Sequence, residues 1–174
     1  AVSEAGLPYG GVTIDVYRTS KVALRLIPAA GNTWTMGTTP NGASNNPREV
    51  PRIVTMTNDY YLGIFPVTQA QHLLVTGKNP GTSANGLFAP VNKLSYVDLR
   101  GGVESCNWPT HGHAVATASA LGAWRSRTGV DFDLPTSAQW EYACRAGTGT
   151  KYFWEDKPSS DYMNKDNAPV GLKK

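Results

Sequence analysis

The sequence predicts an α+β domain with sparse secondary structure and long, ordered loops. Three observations carry that expectation. Three short segments open on a hydroxyl residue followed three positions later by an amide or acid: Thr68 with Gln71, Ser95 with Asp98, and Thr136 with Gln139. That spacing is the capping box, in which side chains satisfy the free N–H groups of a helix start. Before them lie short runs of alternating apolar and polar residues, the period of a half-buried strand. Between them, 18 glycines and 12 prolines in 174 residues break the chain into short pieces.

Taken in order, residues 1–21 read as a loose lead-in. In "VALRLIP" Val22, Leu24 and Leu26 alternate with Ala23 and Arg25, the pattern of a half-buried strand. "NTWTMG" follows as a second strand, and "RIVTMTNDYYLGIFPVT" as two more, bent near Asn58 and Asp59. Thr68 starts a helix that Gly77 ends, and Ser95 starts a shorter one. "GGVESCNWPTHGH" has no period and reads as an irregular insertion. Val115, Ala118, Leu121 and Trp124 fall three apart, predicting a helix that stops at Gly129. The last helix spans 136–146, with Pro135 keeping Leu134 extended and Gly147 in the left-handed closing position. Glu141 and Arg145 stand at i and i+4 on it, where they pair. The expected core is Trp140, Trp124, Tyr142, Leu134, Met36 and Phe65.

A chain of this length suits one domain and buries roughly 70% of its unfolded surface. The net charge is +3 and the only adjacent basic pair is Lys173 and Lys174, which argues against a nucleic-acid partner or a membrane surface. Nor is there an apolar run of about 18 residues to span a bilayer.

The chemistry-bearing residues are few. His111 and His113, with Cys106 close before them, suit a copper or zinc ion or else face solvent. Cys106 and Cys144 are either a disulfide closing a long loop, worth roughly 4 kcal/mol, or two unrelated thiols. Asp156, Asp161, Asn164, Asp166 and Asn167 gather hard oxygen donors that suit Ca²⁺, or form a solvated loop. No nucleophile elbow or phosphate loop occurs.

Four ordered motifs carry a family resemblance. "WTMG" at 34–37 looks like an F-x-M-G opening, and "YYLGIFPVTQAQH" at 60–72 like an F-x-I-x-x-x-P-V-T-x-x-Q segment. "APVNKLSYVD" at 89–98 is similar to a P-V-x-x-V-S-W/Y-x-D step. "LPTSAQWEYACRAGT" and then "YFWED" look like LPTEAEWEYA-x-R-x-G followed by Y-P-W-G. Together they resemble the formylglycine-generating enzyme family, the sulfatase-modifying factor domain, over about residues 22–171.

That resemblance implies a C-type-lectin-related fold over 22–174, in which the helix at 136–146 is scaffold, with Glu141 or Arg145 tying down loop backbone. It also implies a calcium ion held in part by the side chain of Asn164 and the carbonyl of Lys165, with Asp161 and Asp166 near. The family's next motif would begin just past Gly171, and the cysteine pair that binds copper in its oxidases lies further on. The chain is therefore expected to be the N-terminal portion of such a domain. A missing C-terminal half or a second chain would complete the fold. No catalytic residue is expected in this portion, and copper would enter only through a full-length oxidase parent. Two functions remain open at this point. The parent oxidises a sulfatase cysteine to formylglycine, or the chain is a secreted, extracellular or periplasmic, lectin-like module that binds a protein or peptide ligand.

Overall fold

The computed structural model describes residues 15–37, 50–81, 86–108 and 110–150. They fall into two compact units, the described residues of 15–26 with 61–134 and those of 27–60 with 135–150. In chain order the elements are α1 (Val16–Thr19), β1 (Leu24–Ile27), β2 (Thr33–Met36), β3 (Arg52–Thr55), β4 (Tyr60–Gly63), α2 (Gln69–Thr76), α3 (Tyr96–Arg100), α4 (Ala120–Thr128) and α5 (Ser137–Arg145), with short 3-10 turns at Gly86–Phe88 and Glu104–Cys106. Helices and small antiparallel pairings share one chain, which is the α+β class.

All three capping boxes form. Thr68, Ser95 and Thr136 accept the backbone N–H of Gln71, Asp98 and Gln139, and each of those side chains returns to the cap's own N–H. The cap satisfies donors that a helix start leaves open, so short helices hold without long apolar faces.

The first unit pairs β1 with β4 and packs α2 against α1 and α4, and α3 against α4. Much of what it buries is polar. Gln71, 4% exposed, donates from Nε2 to the carbonyls of Tyr17 at 3.0 Å and Lys21 at 2.6 Å, while Thr68 Oγ1 donates to the Arg18 carbonyl at 2.6 Å. These bonds hold α1 on the start of α2. Tyr17 and Ala23 form a small apolar nucleus with Val16 and Ile64. Helix α4 starts at Ser119, whose Oγ accepts from Gly122 N–H at 3.1 Å. A Cβ at Gly122 would sit 2.3 Å from the Ala116 carbonyl oxygen, so only glycine lets the first turn of α4 lie this close on the preceding backbone.

The second unit is a β2–β3 ribbon under α5. Thr33 faces Thr55, Trp34 faces Val54, Thr35 faces Ile53 and Met36 faces Arg52. Trp34 and Tyr142 meet edge to face at 5.5 Å, and Asn32 donates to the Tyr142 hydroxyl at 2.9 Å. Ala29, Met36 and Met56 are buried. Asp59 turns the chain before β4 by accepting the N–H groups of Ala29 and Ala30 at 2.8 and 2.9 Å.

Several expectations are corrected. Trp140 is 58% and Phe65 51% exposed, so neither is core, while Met36 is buried and Trp124, Tyr142 and Leu134 are half-buried. Ser137, Trp140 and Cys144 share the solvent stripe of α5, because Glu141, Tyr142 and Arg145 take the face toward the ribbon. At β1 the buried residue is Ala23, just before the strand, while Leu24 and Leu26 of the strand are exposed. The helix read from Val115 begins only at Ala120. At the end of α5, Ala146 takes the left-handed position at φ +47°, one residue before Gly147.

Candidate functional site

The densest polar constellation of the first unit centres on Arg100, the last residue of α3 and 2% exposed. Its Nη1 donates to both oxygens of Asp133 at 2.6 and 2.7 Å. Nη2 donates to the carbonyls of Gly112 at 3.0 Å and Ala114 at 2.8 Å, and Nε to the carbonyl of Cys106 at 3.2 Å. Each of the three guanidinium nitrogens is thereby engaged. The guanidinium also lies 5.7 Å from the Tyr96 ring centroid.

Asp133 is equally saturated. Beside Arg100 it accepts the backbone N–H of Leu134 at 2.8 Å and meets His113 Nδ1 at 2.7 Å, with Arg125 Nη2 at 3.9 Å. A buried carboxylate with this many donors is fully compensated, and removing one partner would leave a buried charge. The irregular insertion is therefore an ordered loop, hung by its carbonyls from one arginine.

The residues singled out from sequence fall in different places. Cys106 is buried in the 3-10 turn beneath Arg100, Cys144 is exposed on α5, and both are free thiols. Burial pushes the Cys144 thiol upward, with Arg145 opposing and Glu141 adding to that shift. His72 is 4% exposed on α2, and burial holds its ring below the usual imidazole range. His111 and His113 lie on the exposed turn of the insertion. Asn164, Lys165, Asp161 and Asp166 lie outside the described residues, as does the whole proposed calcium segment. Among the described residues no group of three His, Cys, Asp or Glu side chains forms a metal cage, and no helix is long and apolar enough to cross a membrane.

Arg100 and Asp133 were not legible as partners, being 33 residues apart. The available signal was a carboxylate set between Phe132 and Leu134, a poor place for an unpaired charge. A small cleft of about 160 Å³ opens where α1, α2 and α4 end, with Thr19, Gln71, Leu74 and Trp124 in its walls. Arg127, on its rim, donates to the Leu74 carbonyl at 3.0 Å, so its charge ties α4 to α2.

The family model of the sulfatase-modifying factor enzyme 1-like domain matches residues 21–172. The chain belongs to this family, the formylglycine-generating enzyme and sulfatase-modifying factor family. No curated protein and no solved structure matches it.

Proposed function

We propose that this chain supplies scaffold and ligand-binding surface to a formylglycine-generating-enzyme-like domain of C-type-lectin-related fold, and does not itself oxidise a cysteine. The observation that supports this reading is the state of its two cysteines. Cys106 is 3% exposed on a loop locked by Arg100, while Cys144 stands alone on the solvent stripe of α5. Copper(I) favours soft thiolate ligands, and neither residue offers a second thiolate beside it in its own element. In a parent that converts a sulfatase cysteine to formylglycine, the copper-binding pair would come from further sequence or from a second chain.

The test is direct. The purified chain is incubated with copper, oxygen, a reducing thiol and a cysteine peptide of sulfatase type, and the peptide is weighed by mass spectrometry. No aldehyde product is expected. Formation of formylglycine by this chain alone overturns the proposal.

A second reading, a lectin-like module without enzymatic activity in an extracellular or periplasmic setting, draws on a different observation. Tyr96, Val97, Val103 and Trp108, all on the segment around α3, are 44–55% exposed. Exposed large apolar side chains drawn from one short segment suit a protein or peptide ligand. Calcium belongs to either reading as a structural ion at Asn164 and Lys165.

A further inference from the structure

The His111–Gly112–His113 turn is held more firmly than a surface loop needs. Gly112, at φ +55°, lets the chain reverse between the two histidines. Arg100 grips the carbonyls of Gly112 and Ala114, the two that flank His113. His111 donates its N–H to the Asn107 carbonyl at 2.9 Å and accepts from Ala114 N–H at 3.2 Å. The backbone of both histidines is thus fixed before any ligand arrives.

The ring of His113 is oriented too. Its Nδ1 lies 2.7 Å from Asp133 Oδ2, and the bidentate bond from Arg100 makes that carboxylate an acceptor. Nδ1 therefore carries the proton, and Nε2 is the nitrogen left for a ligand. The side chain of His113 is 71% exposed against 9% for Asp133, so the ring is held at its base and open at its tip. A carboxylate bonded to one ring nitrogen is how proteins orient an imidazole whose other nitrogen binds a metal. His111 is exposed as well, and its Cα lies at most about 7 Å from that of His113. A separation of that order lets two imidazoles turn toward one ion at the roughly 2.0–2.1 Å of a metal–imidazole bond. The third histidine of the sequence, His72, is buried on α2 and takes no part.

We propose that His111 and His113 form an open two-imidazole site for a divalent transition cation, with Asp133 as its positioning carboxylate. Imidazole donors and the usual order of affinities favour Cu²⁺, followed by Ni²⁺ and Zn²⁺. Water fills the remaining positions, so the site captures a cation reversibly, unlike a closed four-ligand cage. Arg100 neutralises the charge on Asp133, which leaves metal affinity to the rings themselves. Its donors are other residues than those of the calcium segment, and none of them is a thiolate.

The experiment uses the full chain, stripped of metal, and Cu²⁺ or Zn²⁺ alone as probe. Calorimetry gives stoichiometry, and the Cu²⁺ spectrum by electron paramagnetic resonance shows whether nitrogen is bound. One saturable site with nitrogen couplings is expected. His111→Asn and His113→Asn, both at exposed positions, should each weaken binding at least tenfold, and the double variant should abolish that site. Asp133→Asn should weaken it by about 10–100-fold, the usual effect of losing a carboxylate behind a metal-bound imidazole. Because that variant also touches Arg100, its far-UV circular dichroism is compared with wild type. The histidine variants decide the matter if it fails to fold. Absence of saturable binding by wild type, or unchanged binding in the double histidine variant, overturns the proposal.

Discussion

Glu141 and Gly37 stand 104 positions apart in the chain, yet Glu141 Oε1 accepts the Gly37 N–H at 2.8 Å. One turn later on α5, Arg145 donates from Nη2 to the carbonyl of the same glycine at 2.9 Å. The two side chains are joined by a bond from Arg145 Nε to Glu141 Oε1 at 2.8 Å, and Arg145 Nη1 also takes the Thr150 carbonyl at 2.7 Å. A helical i, i+4 pair that would contribute a few tenths of a kcal/mol on a free surface here clamps both polar groups of one peptide residue.

Glu141→Ala should therefore destabilise more than an ordinary surface ion pair would. It leaves the Gly37 N–H and the Arg145 guanidinium without their carboxylate, in a setting where both side chains are mostly covered. The expected loss is about 1–3 kcal/mol by urea denaturation. A midpoint equal to wild type would show that the clamp contributes nothing.

Arg100→Met removes five hydrogen bonds and strands Asp133 at 9% side-chain exposure. About 3–5 kcal/mol should be lost. Arg100→Met combined with Asp133→Leu should recover part of it, since the second change removes the uncompensated charge. If the double variant is worse than the single by the full cost of a second lesion, the two residues act independently.

His72 sets an acid limit. Burial lowers its folded-state affinity for a proton relative to the unfolded chain. Its contribution to stability is present above the unfolded imidazole range, about pH 6.5, and is eroded as pH falls toward the depressed folded value. The melting temperature should drop between pH 7.5 and 5, and His72→Gln should show a shallower drop. Parallel curves would assign the acid sensitivity elsewhere.

The thiols should separate by reactivity. In the native chain at pH 8 a disulfide-exchange reagent should label Cys144 and leave Cys106 untouched until denaturant is added. The rate at Cys144 should lie below that of a free cysteine, because burial raises its thiol and only thiolate reacts. Equal rates at both positions would mean that the Arg100 loop opens freely.

Calcium is tested by melting. A site at Asn164 and Lys165 that supplies only part of the six to eight oxygens Ca²⁺ prefers should bind weakly. Millimolar Ca²⁺ should raise the melting temperature slightly, as binding to the native state alone requires. Mg²⁺ should not, and Asn164→Ala should remove the effect. No response to calcium would leave Asn164 and Lys165 without an ion.

What the sequence made legible was local. Capping boxes depend on two residues three apart, so Thr68, Ser95 and Thr136 could be read directly. Strand partners could not: β3 follows β2 and pairs with it, but β4 crosses back to β1, a choice set by packing that alternation does not encode. Trp140 was misplaced because ring size argues for burial without saying which face of α5 turns inward. Polar residues decided that face, through Glu141 and Arg145 on Gly37. Asp133 went unread for a related reason, since its partner is reached only across folded space.

Arg100 holds the segment from Cys106 to Ala114 through the carbonyl oxygens of Cys106, Gly112 and Ala114 and through no side chain of theirs. Every amino acid supplies an identical carbonyl. The bonds to Arg100 thus ask nothing of the side chains they anchor, and exposed positions such as His111 are free to be exchanged, while Gly112 at φ +55° and buried Cys106 keep the path of the chain. That separation of attachment from content would let one framework display many different loops.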